Sequence, residues 1–229
     1  MNTYLVMDIG TSSTKISLFN TMGKKLKTQS YSYDVLMPAV GWAEQDPEIW
    51  WSAICKLCEN NLKANEKEKI IAVIVVGQTP SCVPIDVSGN PVRPAILWLD
   101  RRSTSQVDWL KKKMQEERVG LISSNRLDSY FGGVKWLWFI QNQPDLYQKT
   151  WKILQANSYI IFKLTGQLVI DPSQAGLCSP CFDSITHKWS SEVLEIMGLR
   201  EEKLQVYAYW LGLYCAWVYF NGRRWKRRP

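Results

Sequence analysis

Residues 8–15, DIGTSSTK, gather one carboxylate, one glycine, four small hydroxylated residues and a lysine into eight positions. They follow the apolar run TYLVM. Such residues add little to a core, but they suit a tight turn that faces something charged. Gly10 lets the backbone approach a ligand closely. Thr11, Ser12, Ser13 and Thr14 offer hydroxyls, and their N–H groups can form an anion nest. Lys15 adds a positive charge. Asp8 is placed to hold Mg²⁺ through water, because Mg²⁺ keeps several waters and takes few carboxylates. Read alone, the same eight residues also fit a plain Gly-Ser-Thr hairpin turn with an ordinary turn aspartate.

The surrounding pattern must position this loop. Residues 3–8 read as a buried strand, 14–20 as a second, and KLKTQSYSY after the TMG turn as a third. A strand hairpin after the polar turn is not the strand–helix–strand order of a G-x-G-x-x-G nucleotide fold. Asp46 and Pro47 form an N-cap and first-turn pair, so a helix is expected over about 47–64. IIAVIVVG, residues 70–77, is a β-branched run that predicts a strand buried on both faces. A turn, GQTPS, and a short strand, CVPIDV, follow; AILWLDRR is a further apolar run that ends on charge. Helices are expected over 103–118, 131–142 (ended by Pro144), 155–166 (stopped by Gly166) and 190–199. Strands alternate with helices, so the class is α/β.

Composition bounds the rest. The chain has 229 residues, 46% hydrophobic and 21% charged, enough for one large domain or two small ones. The net charge is +7, yet five of those charges lie beyond residue 204, where no acid occurs. Residues 1–204 are therefore nearly neutral, and a nucleic-acid surface would have to be the tail alone. Cys55/Cys58 and Cys178/Cys181 have C-x-x-C spacing, which is compatible with a zinc or redox site. The single histidine, His187, lies outside any ligand spacing. Buried, reduced thiols in a reducing compartment are the expectation for the six cysteines. No signal peptide is visible, and the expected location is the cytoplasm.

An ordered set of segments carries a stronger signal: MDIGTSSTKISLF, GWAEQDPEIWW, IIAVIVVGQTPSCVPID, NPVRPAILWLDRRS, LDSYFGGVKWLWF and KLTG. In this order and spacing, over roughly residues 3–200, the chain resembles the FGGY family of carbohydrate kinases, in its xylulokinase and glycerol-kinase-like branches. The resemblance implies an RNase-H-like domain of the actin and hexokinase superfamily, a mixed five-stranded sheet flanked by helices. It implies ATP and Mg²⁺ as cofactors and a sugar or polyol as substrate. Asp8 matches the family's Mg²⁺-associated aspartate, and Gly10, Thr11 and Ser12 match its first phosphate loop, with Ser13 beside them. Lys15 stands where some members have a basic residue near the phosphates. Gln78 and Thr79 match a loop that contacts the polyol. Trp98, Asp100 and Arg102 match the W-x-D-x-R element on the substrate side, and Tyr130 matches a glycerol-kinase-like substrate position. Each has a plainer reading: Trp98 or Tyr130 as packed aromatics, Asp100–Arg102 as a structural ion pair, Gln78 as a turn residue.

Phosphoryl transfer also needs a base for the acceptor hydroxyl. The resemblance places that base, an aspartate in a glycine-rich segment, and the adenine pocket in a second domain, so no catalytic residue is identified here. The expected division is a kinase-type domain over 1–204, incomplete, and a non-family tail over 205–229 with eight aromatics and no acid. The abrupt change near Leu204 reads as a truncated or out-of-frame end. An apolar membrane segment over 206–220 is shorter than the roughly 20 residues a span needs. An interfacial anchor or a basic nucleic-acid patch is a weaker reading, and neither membrane nor nucleic acid is expected as a partner. A homodimer is one assembly that the resemblance allows. The competing reading is a non-catalytic domain that binds a sugar or a partner. An actin- or heat-shock-type ATPase would share the DIGT loop but lack the W-x-D-x-R and LDSYF elements.

Overall fold

The computed structural model describes residues 1–207 and the backbone of 216–219. The alternation in TYLVMDI becomes β1 (Thr3–Ile9), with Leu5, Met7 and Ile9 buried. The turn at 10–12 returns the chain antiparallel as β2 (Ser13–Asn20), and β3 (Lys25–Ser32) follows as a largely exposed edge. After the two-residue β4 (Glu44–Gln45), α1 (Pro47–Asn61) begins as its sequence predicts. The Asp46 side chain accepts from the Glu48 N–H at 3.0 Å, and Pro47 fills the first helical position. The helix ends at Leu62, before the single-turn α2 (Ala64–Lys67).

The β-branched run is β5 (Ile70–Gly77), parallel to β1. A crossover is required between parallel strands, and α1 supplies it. Short ladders then bring distant loops together. These are β6 (Val83–Ile85) and β7 (Ala95–Ile96), the latter antiparallel to β4.

The expected helix over 103–118 is two helices, α3 (Thr104–Lys111) and α4 (Glu116–Ser123). The chain breaks at 112–115, and Glu116 and Glu117 open α4, where carboxylates suit a helix start. Pro144 both stops α5 (Gly132–Asn142) and starts α6 (Pro144–Lys149). Next come β8 (Lys152–Leu154), paired with β6, and α7 (Ala156–Thr165), ended by Gly166 at φ +75°. The remainder is β9 (Val169–Ile170), α8 (Pro172–Gly176), β10 (Phe182–Asp183), β11 (Lys188–Trp189) and α9 (Ser191–Met197), closed by Gly198.

A last short strand, β12 (Val206–Tyr207), pairs with β9, and Trp189 Nε1 donates to the Gln205 carbonyl at 3.0 Å. The backbone of β13 (Ala216–Tyr219) lies antiparallel to β5 and completes the five-stranded mixed sheet β13-β5-β1-β2-β3. The other expectations for the tail, including an apolar segment and the basic cluster at 223–228, lie outside the described residues. Among the described residues no helix is long and apolar enough to cross a membrane.

Two hydrophobic cores form. One joins the sheet to α1 and α7, around Met7, Ile9, Trp50, Val75 and Tyr159. The other collects α3 to α6, α8 and α9, around Leu110, Trp136, Phe139, Cys181 and Leu194. Cys82, Cys178 and Cys181 are buried free thiols; Cys55 and Cys58 are free but only half-buried on α1, short of the full burial expected for them.

Candidate functional site

The site lies where the C-terminal ends of β1 and β5 meet the loop after β7. The backbone of the first turn is tied from behind. Tyr33 Oη donates to the Gly10 carbonyl at 2.7 Å, Gln45 Nε2 to Thr11 O at 2.7 Å, and the Tyr33 N–H to Ser12 O at 3.1 Å. Three successive carbonyls thus point inward. The N–H groups of Thr11 and Ser12 have no acceptor among the described residues. A Cβ on Gly10 would come within 2.9 Å of the Ser13 carbonyl, so the tight turn requires glycine there.

Asp8 and Lys15 face each other across the β1–β2 ladder, with 4.0 Å between carboxylate and ammonium, both partly exposed. Ser13 begins β2 and is half-buried. Thr14 departs from expectation. It is buried, and its hydroxyl lies 3.0 Å from Tyr33 Oη. Because Tyr33 spends its one proton on Gly10 O, Thr14 donates to Tyr33 and has no hydroxyl proton left for a ligand. Burial pushes the Tyr33 phenol up to about 12, which keeps it a donor.

The sugar-side residues divide into two groups. Trp98 is 36% exposed and packs edge-on against Tyr130, with ring centroids 6.4 Å apart. Its indole N–H donates to Thr11 Oγ1 at 2.9 Å, joining the two loops directly. Tyr130 Oη reaches the Thr79 carbonyl at 3.4 Å. Gln78 is nearly buried, and its backbone N–H donates to Ile9 O at 2.8 Å, which ties the GQTPS turn to the end of β1.

Asp100 and Arg102 belong to the second group. Their side chains are fully buried and paired with each other at 2.8 Å. Arg102 also pairs with Glu44 at 2.7 Å and lies between the Trp42 and Trp138 rings, 3.7 and 4.8 Å from their centroids. Arg93 completes this network through Glu44. Asp100 Oδ2 accepts from the Ala43 N–H at 2.6 Å. These two residues therefore brace the loop that carries Trp98, and neither side chain lines an open surface. The exposed arginine is Arg101, whose guanidinium stands over Tyr130 at 5.7 Å.

Sequence reasoning also passed over Lys135, which lies within the apolar α5. It is fully buried, and its ammonium donates to the carbonyls of Ser129, Tyr130 and Asp100 at 2.5, 2.9 and 3.1 Å. One side chain thereby fastens the Tyr130 segment to the Trp98 loop. A lone lysine among aromatics in VKWLWF was the available signal. Tyr33 and Gln45 carried none, since each acts only through a fold that brings it behind the loop.

The mixed five-stranded sheet with its flanking helices is an α/β domain of the actin and hexokinase type. Residues 3–207 match the model for the FGGY family of carbohydrate kinases, N-terminal domain, and the chain belongs to that family. It is 32% identical over 193 residues to a xylulose kinase of Staphylococcus xylosus, covering 84% of this chain and 40% of that one. A glycerol kinase of Thermococcus onnurineus is 30% identical over 221 residues, covering 90% of this chain and 44% of the relative. The solved structure of a ligand-bound xylulose kinase from Lactobacillus acidophilus superposes with a TM-score of 0.81 at 25% identity, covering 91% of this chain and 42% of that one. The chain thus spans about two-fifths of the length of the relatives it matches.

Proposed function

We propose that this chain is the amino-terminal domain of an ATP-dependent sugar or polyol kinase, with the kinase-type domain over 1–204, truncated and inactive alone. The observation that carries the reading is the 2.9 Å bond from Trp98 Nε1 to Thr11 Oγ1, because it joins an anion-binding turn to the aromatic wall of a polyol site. Gly10, Thr11, Ser12 and Ser13, with Lys15, would hold phosphate oxygens. The lone, partly exposed Asp8 suits a cation that keeps its waters, and no group of three or more His, Cys, Asp or Glu stands together among the described residues. Asp8 would therefore hold Mg²⁺ through water, and the ion would offset charge on the transferring phosphoryl group.

The acceptor would lie against Trp98 and Tyr130, near Gln78 and Thr79. Transfer forms a bond from the sugar hydroxyl oxygen to the γ-phosphorus and breaks the bond to the bridging oxygen. We assign the base that takes the hydroxyl proton, and the adenine pocket, to a second domain, as the relatives' greater length supports. Xylulose and glycerol are the acceptors that the relatives' names suggest. The role proposed is a cytoplasmic metabolic one without nucleic-acid or membrane partners; the near-neutral charge of residues 1–204 argues against a basic nucleic-acid surface in that stretch.

The test is ATP turnover by the purified chain with Mg²⁺ and a panel of ketoses and polyols, beside Asp8→Ala. With the base and the adenine pocket assigned to a second domain, the chain alone is expected to show no turnover; acceptor-dependent turnover that Asp8→Ala abolishes would place a base within this chain and overturn that assignment. Turnover indifferent to Asp8→Ala overturns the role given to this carboxylate. The partial coverage of the relatives favours one second reading, a domain that binds sugar without turnover. It predicts no turnover but a sugar-dependent change in Trp98 fluorescence.

A further inference from the structure

Gln45 lies between the two loops, and the chemistry above makes no use of it. Its side chain is 1% exposed and makes four hydrogen bonds. Nε2 donates to Thr11 O at 2.7 Å and Asp34 O at 3.1 Å, while Oε1 accepts from Trp50 Nε1 at 3.1 Å and Gln78 Nε2 at 2.9 Å. This set admits one orientation. Carbonyl oxygens only accept and an indole N–H only donates, so nitrogen must face Thr11 and Asp34, and oxygen must face Trp50. Gln78 then has to offer its NH₂ to Gln45. Its own Oε1 is turned to the other side, buried and without a partner among the described residues. The adjacent Thr79 Oγ1 is likewise buried and unpartnered. An unpaired acceptor out of water is costly, so this one calls for a donor.

We propose that Gln45 is a positioning residue that fixes the Gln78 carboxamide with its oxygen free, so that this point of the site takes a hydroxyl donor of the ligand. The ligand class rests on the kinase-domain reading; the orientation of Gln78 does not. The same Gln45 carboxamide holds the Thr11 carbonyl, so the phosphate turn and the sugar turn share one anchor.

The experiment is NMR of the ¹⁵N-labelled 229-residue chain. In the wild type, the Gln78 side-chain NH₂ exchanges slowly with solvent. Gln45→Met fills a similar volume without polar atoms. In it, the Gln78 NH₂ and the Trp50 indole N–H shift and lose protection at least tenfold, while the α1 backbone amides stay in place. Gln78 signals unchanged by Gln45→Met overturn the proposal. If that variant does not fold, a wild-type Gln78 NH₂ that exchanges as fast as a free amide overturns it equally. Glycerol is the ligand probe. It is expected to shift Gln78 and Trp98 signals, with half-saturation at least fivefold higher in Gln45→Met. Glycerol that shifts Gln78 equally in both proteins overturns the proposal. Slow Gln78 exchange with no response to glycerol or xylulose counts against the kinase-domain reading, and leaves the orienting role of Gln45 supported.

Discussion

Lys135 shows how much a single buried charge can organise. Its three bonds go to carbonyls from two segments, so its loss leaves the Asp100 and Tyr130 carbonyls unpaired and Ser129 O with the Ser103 hydroxyl alone, at 3.3 Å. Lys135→Met is expected to cost about 2–4 kcal/mol in urea unfolding. Burial lowers the pKa of Lys135 to about 7, against the opposing pull of Asp100, whereas an ordinary lysine titrates near 10.5. Between those values the unfolded chain binds more protons than the folded one, so this group makes stability rise with pH. The gap between wild type and Lys135→Met should therefore widen from pH 7 to pH 9. A constant gap would mean that Lys135 keeps its proton across that range. At Trp98, a Phe keeps the ring against Tyr130 but removes the donor to Thr11. Trp98→Phe should weaken polyol binding by about 1 kcal/mol with the fold intact, as read by titration and circular dichroism.

At the scale of elements, legibility followed local signals. The capping of α1 was readable because Asp46, Pro47 and Glu48 act within one turn. Asp46→Ala is accordingly expected to cost about 1 kcal/mol of stability, read as a lower urea midpoint. The break between α3 and α4 was not readable, because KKKMQEE carries good helix formers and only tertiary packing decides where the chain turns. The two-residue ladders β4–β7 and β9–β12 were equally hidden, since each pairs segments far apart in sequence. Their partners show in no periodicity. Gly133 on α5 is a sharper case. A Cβ there would stand 2.6 Å from the carbonyls of both Cys178 and Ser179. Gly133→Ala should displace the 178–181 turn and cost about 1–3 kcal/mol in the same unfolding measurement. The glycine was visible in FGGVKW, but the backbone it must admit lies about 45 residues away.

Across the whole molecule, the sheet core and the helical core meet beneath the site. Leu97 and Leu99, either side of Trp98, pack with the first, and Tyr130 with the second. Arg102 spans the junction through Glu44, Asp100 and the two tryptophans. Arg102→Met would leave the buried Asp100 carboxylate without its cation and Glu44 with Arg93 alone, and should cost about 3–5 kcal/mol, measured by urea denaturation. The tight turn at Gly10 was legible in eight residues because its geometry is local. The roles of Asp100 and Arg102 were not, since a strand-end Asp-x-Arg looks the same facing a ligand or facing inward.

The seam has a consequence for inheritance. The turn at Gly10 is seated on one core, while Tyr130 and the helix behind it are seated on the other, and the segments 82–85 and 95–97 contribute residues to both. Mutations that reshape the Tyr130 side can accumulate without disturbing the packing that shapes the anion turn. On the proposed kinase-domain reading, a lineage built this way would change the alcohol it accepts while leaving its phosphate grip untouched, with the Trp98–Thr11 bond as the point through which each new acceptor surface must remain in step with the old one.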